Sequence, residues 1–216
     1  MLRILRMAEL PFIPDLVRRT KALAALDLIM SPEWDTRYYS FNSKWSPHEQ
    51  MASMHNGCGD EWWIVFHSDG WAALKGLGHE SAAWSKGQEK LSAAIQAAFP
   101  SELSGFASEP AFRWDETSFG HFFLPANRAW KSAIESTKFA KLESGDEELF
   151  CHVVGQPEDY IRFAESYYER SLPLKEVRHI FDLKPITKRL VALLNDEVSF
   201  GSIEEELFNE IAYPPR

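Results

Sequence analysis

Trp62-Trp63-Ile64-Val65-Phe66-His67-Ser68-Asp69-Gly70-Trp71-Ala72-Ala73-Leu74-Lys75-Gly76-Leu77 decides how the rest of the chain is read. Trp62 to Phe66 is apolar and β-prone, Asp69-Gly70 interrupts it, and a second apolar run begins at Trp71. Asp-Gly between two such runs favours a two-residue turn, because both central positions take positive φ. The spacing then sets Ser68 opposite Trp71, Phe66 opposite Ala73, Val65 opposite Leu74 and Trp63 opposite Gly76, large side chains against small ones. Both faces of Trp62 to Phe66 are apolar, which predicts a central strand covered on both sides.

Continued past Leu77, the same register brings His79 opposite Asp60 and Ser81 opposite Cys58. Cys58, Asp60, Glu61, His79 and Glu80 then meet at one end of the hairpin, with Gly57, Gly59, Gly76 and Gly78 allowing unusual turns. Acyl transfer suits such a set: a thiolate attacks, an imidazole handles the proton and a carboxylate fixes its tautomer. The catalytic candidates are therefore Cys58, Asp60, His79 and Glu80. The simpler reading is a small-residue turn followed by an exposed link to the next helix. Metal binding by Asp60, His79 and Glu80, with His67 or His121, lacks the second histidine of a zincin helix. No metal and no cofactor are expected. Cys151 and His152 would point to opposite faces of a strand and cannot act on each other.

Outward from the hairpin, Arg37 to Phe41 reads as a strand. Ser46-Pro47-His48-Glu49 has the form of a capping box with proline at the first helical position, predicting a helix through Met54 ended by Asn56-Gly57. Pro14 to Met30 and Ser81 to Ala98 carry helical stripes. Residues 101–117 have no period and read as a long loop with a helical turn. Phe119 to Leu124 reads as a strand, Asn127 or Ala129 opens a helix or turn through Ser136, and Glu148 to Val154 reads as another strand. The fold class is α+β, a mostly antiparallel sheet of about five strands flanked by helices. The pattern turns helical after Gly155, giving an α+β core over 1–155 and a helical C-terminal section over 156–216, packed together as one compact unit. Ser202 and Glu205 form the last helix's capping box, and Pro214-Pro215 ends it.

The chain has 216 residues, 45% hydrophobic and 13% aromatic, enough to bury a sizeable core. A net charge of −9 argues against a nucleic-acid or anionic-membrane surface, which needs clustered Lys and Arg. Two cysteines make no disulfide framework, so a reducing compartment is expected. Arg3 and Arg6 precede Glu9, Pro11, Pro14 and Asp15, which break any signal-length apolar region, and no run is long enough to span a bilayer. The expected location is the cytoplasm. Among the many aromatic residues, most belong to the core, and Phe41, Trp45 and Trp71 are the binding candidates, the segment Ser40 to Trp45 being the part expected at the surface.

The segment YYSFNSKWSPHEQMASMHNGCGDEWWIVF (38–66), with KGLGHE (75–80) and EIAYP (210–214), resembles a group of uncharacterised bacterial proteins. The resemblance spans most of the chain and implies neither an activity nor any catalytic residue. The acidic, aromatic-rich α+β build is also similar in style to bacterial immunity-type proteins, which neutralise a toxin by binding it. The expected function is a non-enzymatic protein-interaction module with a protein partner, and the oligomeric state stays open. The alternative is a small hydrolase or transferase built on the Cys58 and His79 cluster.

Overall fold

The computed structural model describes residues 10–213; the readings of the N-terminal arginines and of Pro214-Pro215 fall outside them. In chain order the elements are α1 (Ile13–Met30), β1 (Tyr39–Ser46), β2 (Glu49–His55), β3 (Glu61–His67), β4 (Ala72–Leu77), α2 (Ala82–Gly87), α3 (Glu89–Ala97) and α4 (Ser104–Ala107). They continue with β5 (Phe119–Phe123), β6 (Trp130–Ser132), α5 (Asp146–Leu149), α6 (Cys151–Val154), α7 (Pro157–Tyr167), α8 (Leu174–Phe181), α9 (Lys188–Leu194) and α10 (Phe200–Asn209). The six strands lie in chain order in one antiparallel sheet, so the fold is α+β with one strand more than expected. Among the described residues no helix is long and apolar enough to cross a membrane.

Four local expectations are corrected. Ser46 to Met54 is not a helix: Pro47-His48 turns β1 into β2. The fixed φ of proline suits the second position of a β-turn as well as a first helical turn, and β3, apolar on both faces, needs a hydrogen-bonding neighbour at each edge. Glu148 to Val154 is not a strand but parts of α5 and α6. Asp146, Glu147 and Glu148 favour a helix start, and Leu149, Phe150 and Val153 are buried at helical spacing. The 127–136 segment contributes β6 followed by a 3-10 turn at Ile134–Ser136. The last helix is capped by Ser199, whose hydroxyl accepts from the Ser202 N–H, so it begins before the expected Ser202 box.

The hairpin register is shifted by one from the expected pairing. Phe66 pairs with Ala72, Ile64 with Leu74 and Trp63 with Lys75. The reason is a three-residue loop: His67 N–H donates to Trp71 O at 3.0 Å, Gly70 N–H to His67 O at 2.9 Å, and Gly70 has φ +85°. A left-handed third residue is what this longer loop requires, and glycine takes it without strain. The His67 ring stacks on Trp71 at 4.6 Å, a cross-strand pair that closes the hairpin.

Among the described residues the chain divides into two compact units, the first holding Leu10 and 53–150 and the second 11–52 with 151–213. In the first unit β3 is buried from Glu61 to Phe66, as a central strand should be. One face of β3 carries Trp62, stacked on Phe150 at 5.0 Å with its Nε1–H on Leu149 O. The other carries Trp63, covered by Phe112 from the 101–117 segment. That segment is a plug rather than an open loop: Phe106, Phe112 and Trp114 are buried, and Ser92 Oγ ties the carbonyls of Asp115 and Thr117. In the second unit α1 is the core helix, buried from Ala22 to Met30, with β1, α6, α8, α9 and α10 packed around it.

Candidate functional site

At the open end of the hairpin the expected acid–histidine pair forms. Asp60 Oδ1 accepts from the His79 backbone N–H at 2.9 Å and from His79 Nδ1 at 2.8 Å, and Asp60 Oδ2 accepts from Asn56 Nδ2 at 2.7 Å. The register shift changes how this happens. Gly59 has φ +113°, and a Cβ there would stand 3.3 Å from the His79 ring. A side chain at 59 would strain the backbone and make the His79 ring give by a few tenths of an ångström. The Asp60 hydrogen bond raises the pKa of His79, opposed by desolvation.

The rest of the cluster does not assemble for nucleophilic chemistry. Cys58 is exposed, and its backbone N–H is held by Asn56 Oδ1 at 2.8 Å as part of a side-chain-capped turn. Among the described residues no hydrogen bond joins its thiol to His79. Glu80 is 89% exposed and its carboxylate lies 3.8 Å from His79 Nε2, beyond hydrogen-bonding distance. Of the binding candidates, Phe41 is buried, contrary to the accessibility expected of its segment, with Lys21 Nζ 5.0 Å from its ring centre. Trp45 and Trp71 are half-buried.

Further charged groups lie deeper in the first unit, of which Lys75 and Asp146 were not singled out in the sequence. Lys75, fully buried, donates from Nζ to the carbonyls of Phe112 at 2.7 Å, Arg113 at 3.2 Å and Glu116 at 2.8 Å, and stands 4.6 Å over the Trp63 ring. Burial pushes its pKa down to about 7, opposed first by Glu61; three carbonyl acceptors favour the ammonium form and make Lys75 the peg that fixes the 101–117 segment. Glu61, also buried, takes the Arg113 guanidinium on Oε2, while its Oε1 has no hydrogen-bond partner among the described residues. On the opposite face of the sheet His121 Nε2 donates to Asp146 Oδ2 at 2.9 Å, and Ser144 Oγ donates to Asp146 Oδ1 at 2.7 Å. Burial alone would raise the Asp146 pKa, but the His121 and Ser144 hydrogen bonds overcome it and hold the carboxyl below its ordinary value.

The second unit has its own buried acid. Asp27 of α1 accepts from the Tyr39 backbone N–H and from the Tyr160 hydroxyl, both at 2.6 Å. Burial raises its pKa to about 7, only partly offset by the Tyr160, Tyr39 and Tyr168 hydrogen bonds. Tyr39 in turn meets His152 Nδ1 through its hydroxyl at 2.7 Å, and burial lowers the His152 pKa, which leaves Nδ1 free to accept. Cys151 and His152 therefore sit half-buried on a helical turn instead of on opposite faces of a strand. Next to this network stands an aromatic group: Tyr38 lies 4.7 Å from Phe163 and 5.3 Å from Tyr167, and Phe163 stacks on Tyr167 at 5.3 Å.

Signals for the missed Asp27 and Lys75, and for the burial of His121, weighed only as a metal ligand, were present in the sequence. Asp27 interrupts the apolar run Ala24 to Met30, Lys75 interrupts Ala72 to Leu77, and His121 lies within Phe119 to Phe123. A lone polar residue in an apolar element is buried with a partner more often than not. The partners themselves are 12 to 133 residues away in sequence and carry no local mark. No family model, no curated protein and no solved structure matches this chain.

Proposed function

We propose that the chain is a non-enzymatic protein-interaction module whose second unit presents an aromatic, acidic surface to a basic protein partner. One observation carries this reading: among the described residues, the large apolar side chains that stand exposed, Phe12, Trp34, Tyr167 and Leu193, all belong to the second unit. Trp34 is 64% exposed and sits four residues before Tyr38, whose ring meets Tyr167. Exposed Glu33 and Asp35 flank Trp34, and exposed Glu165 and Glu169 lie either side of Tyr167. Tyrosine and tryptophan give large contact area at low entropic cost, and surrounding carboxylates steer a cationic partner to them. An immunity protein that holds a basic toxin is the version that the likeness in build suggests.

A photo-crosslinking residue at Trp34 or Tyr167, introduced in the cells that make the protein, tests this. The expected result is one discrete adduct with a basic polypeptide, weakened by salt and reduced when the other aromatic is changed to alanine. Absence of an adduct from both positions rejects the surface. The alternative, a hydrolase or transferase centred on Cys58 and His79, is favoured by the Asp60–His79 hydrogen bond alone. It requires rapid alkylation of Cys58 with an apparent pKa well under the ordinary value of about 8.5.

A further inference from the structure

The second unit contains a cavity of about 380 Å³, lined by Arg18 and Arg19 of α1, by Arg178 of α8 and by the start of α7. That volume falls in the range of small-molecule sites. In a chain of net charge −9, three guanidinium groups around one hollow reverse the local sign. Two of them are anchored by backbone carbonyls. Arg18 Nη1 donates to Phe181 O at 2.6 Å, and Arg19 Nη1 donates to Gly155 O at 2.6 Å and Val153 O at 3.3 Å. Each anchor uses one nitrogen of the fork, and among the described residues Nε and Nη2 of Arg19 have no hydrogen-bond acceptor.

Arg19 stands apart from the other arginines. Of those that are buried or half-buried among the described residues, Arg18 has Asp15 at 3.7 Å, Arg37 has Glu206 and Arg170 has Asp196 and Glu197, whereas Arg19 has no carboxylate partner. Burial first, and then repulsion from Arg18, lower its pKa against the pull of Asp15, the mark of positive charge short of counter-charge. The end of α7 is already satisfied, since Gln156 and Asp159 form a complete capping box there, so an anion in the cavity answers to side chains. The two carboxylates in the wall are tied to cations of their own, Glu158 to Arg178 and Asp182 to Lys184 at 2.8 Å. They leave oxygens that accept hydroxyl groups. Apolar wall is limited to Pro157 and Phe181, too little for a fatty or aromatic body.

We infer that this cavity binds a phosphate monoester of a small polyol, with phosphoryl oxygens on the free N–H groups of Arg19 and on Arg18, and hydroxyl groups on Glu158 and Asp182. A guanidinium fork matches two oxygens of a phosphate at once, which a bare charge does not. The site adds a ligand to the second unit and does not depend on the interaction surface proposed above.

Glycerol 3-phosphate is titrated into the full-length protein and followed by calorimetry and by the Nε–H resonance of Arg19, with inorganic phosphate and glycerol as comparisons. Saturable binding of glycerol 3-phosphate, a shift of the Arg19 resonance and at least about tenfold weaker binding of inorganic phosphate are expected, with none of glycerol. Arg19→Gln should weaken glycerol 3-phosphate by at least about tenfold, and Arg19→Lys, which keeps the charge but loses the fork, should recover part of that. Arg19 also anchors Gly155, so a thermal melt of each variant is taken first; if neither folds, Arg18→Gln and the wild-type Arg19 resonance carry the test. No saturation below about 10 mM, an unmoved Arg19 resonance, or an affinity for inorganic phosphate equal to that for the ester, which would mean an adventitious ion only, overturns the inference.

Discussion

The first unit contains the same chemical pair twice, and the two copies do different things. Asp60 and His79 meet at 2.8 Å at the open end of a hairpin, where the imidazole is 36% exposed and the carboxylate 19%. Asp146 and His121 meet at 2.9 Å beneath the sheet, where those values are 11% for the acid and 2% for the histidine. Water competes for the first pair and screens its charges, so it serves to orient two glycine-rich loops. The second pair has lost most of its water, so its hydrogen bonds are supplied by the protein, His121 on one Asp146 oxygen and Ser144 on the other. Environment, not residue identity, decides how much each pair contributes to the fold.

The largest break in that comparison comes from a third carboxyl. Asp27 is buried more completely than Asp146 and has tyrosine hydroxyls and a backbone N–H in place of a histidine, and its pKa goes up to about 7 where that of Asp146 goes down. A carboxyl with a raised folded-state pKa holds its proton in the folded chain after the unfolded chain has lost it. Its contribution is therefore full at low pH and is lost as pH rises from the unfolded value of about 4 through 7. Over that window the loss is on the order of 4 kcal/mol. Urea unfolding at a series of pH values should show this decline in the wild type and a flatter profile in Asp27→Asn; identical profiles would falsify the assignment.

Asp146→Ala should be the next largest effect, about 3 kcal/mol of lost stability in denaturant unfolding, because it strands both the His121 N–H and the Ser144 hydroxyl. Asp60→Ala should cost under about 1 kcal/mol, since the pair it breaks is exposed. A comparable loss in the two variants would erase the distinction drawn between them. Asp60→Asn should also lower the His79 pKa, read by NMR titration. The raised His79 value means that this pair stabilises fully below the unfolded pKa of about 6.5 and that its contribution fades as pH rises through the folded one. Cys58→Ser, at an exposed turn with no thiol partner among the described residues, should change stability by less than about 0.5 kcal/mol.

How much of this was legible depended on distance along the chain. The hairpin, the central burial of Trp62 to Phe66 and the Asp60–His79 pair all follow from residues within a 20-residue window, and they are found in the fold. The register was misread because Asp69-Gly70 fits a two-residue loop and a three-residue loop equally well, and the His67–Trp71 stack that favours the second is invisible to turn chemistry. Ser46-Pro47-His48-Glu49 failed for a related reason: its residues suit a helix start, but β3 required a neighbouring strand.

Sequence alone determined the α+β class, the core helix over Pro14 to Met30, the central strand and the chemical pair at its end, because these depend on periodicity and on neighbours a few residues away. Only the tertiary structure decided that Lys75 is a peg for the 101–117 segment, that Asp27 and Asp146 are buried with opposite shifts, that Phe41 is core, and that Arg18, Arg19 and Arg178 line one cavity. Each of these depends on which distant group supplies a hydrogen bond or removes water, and desolvation is a property of the packed chain that no local pattern encodes.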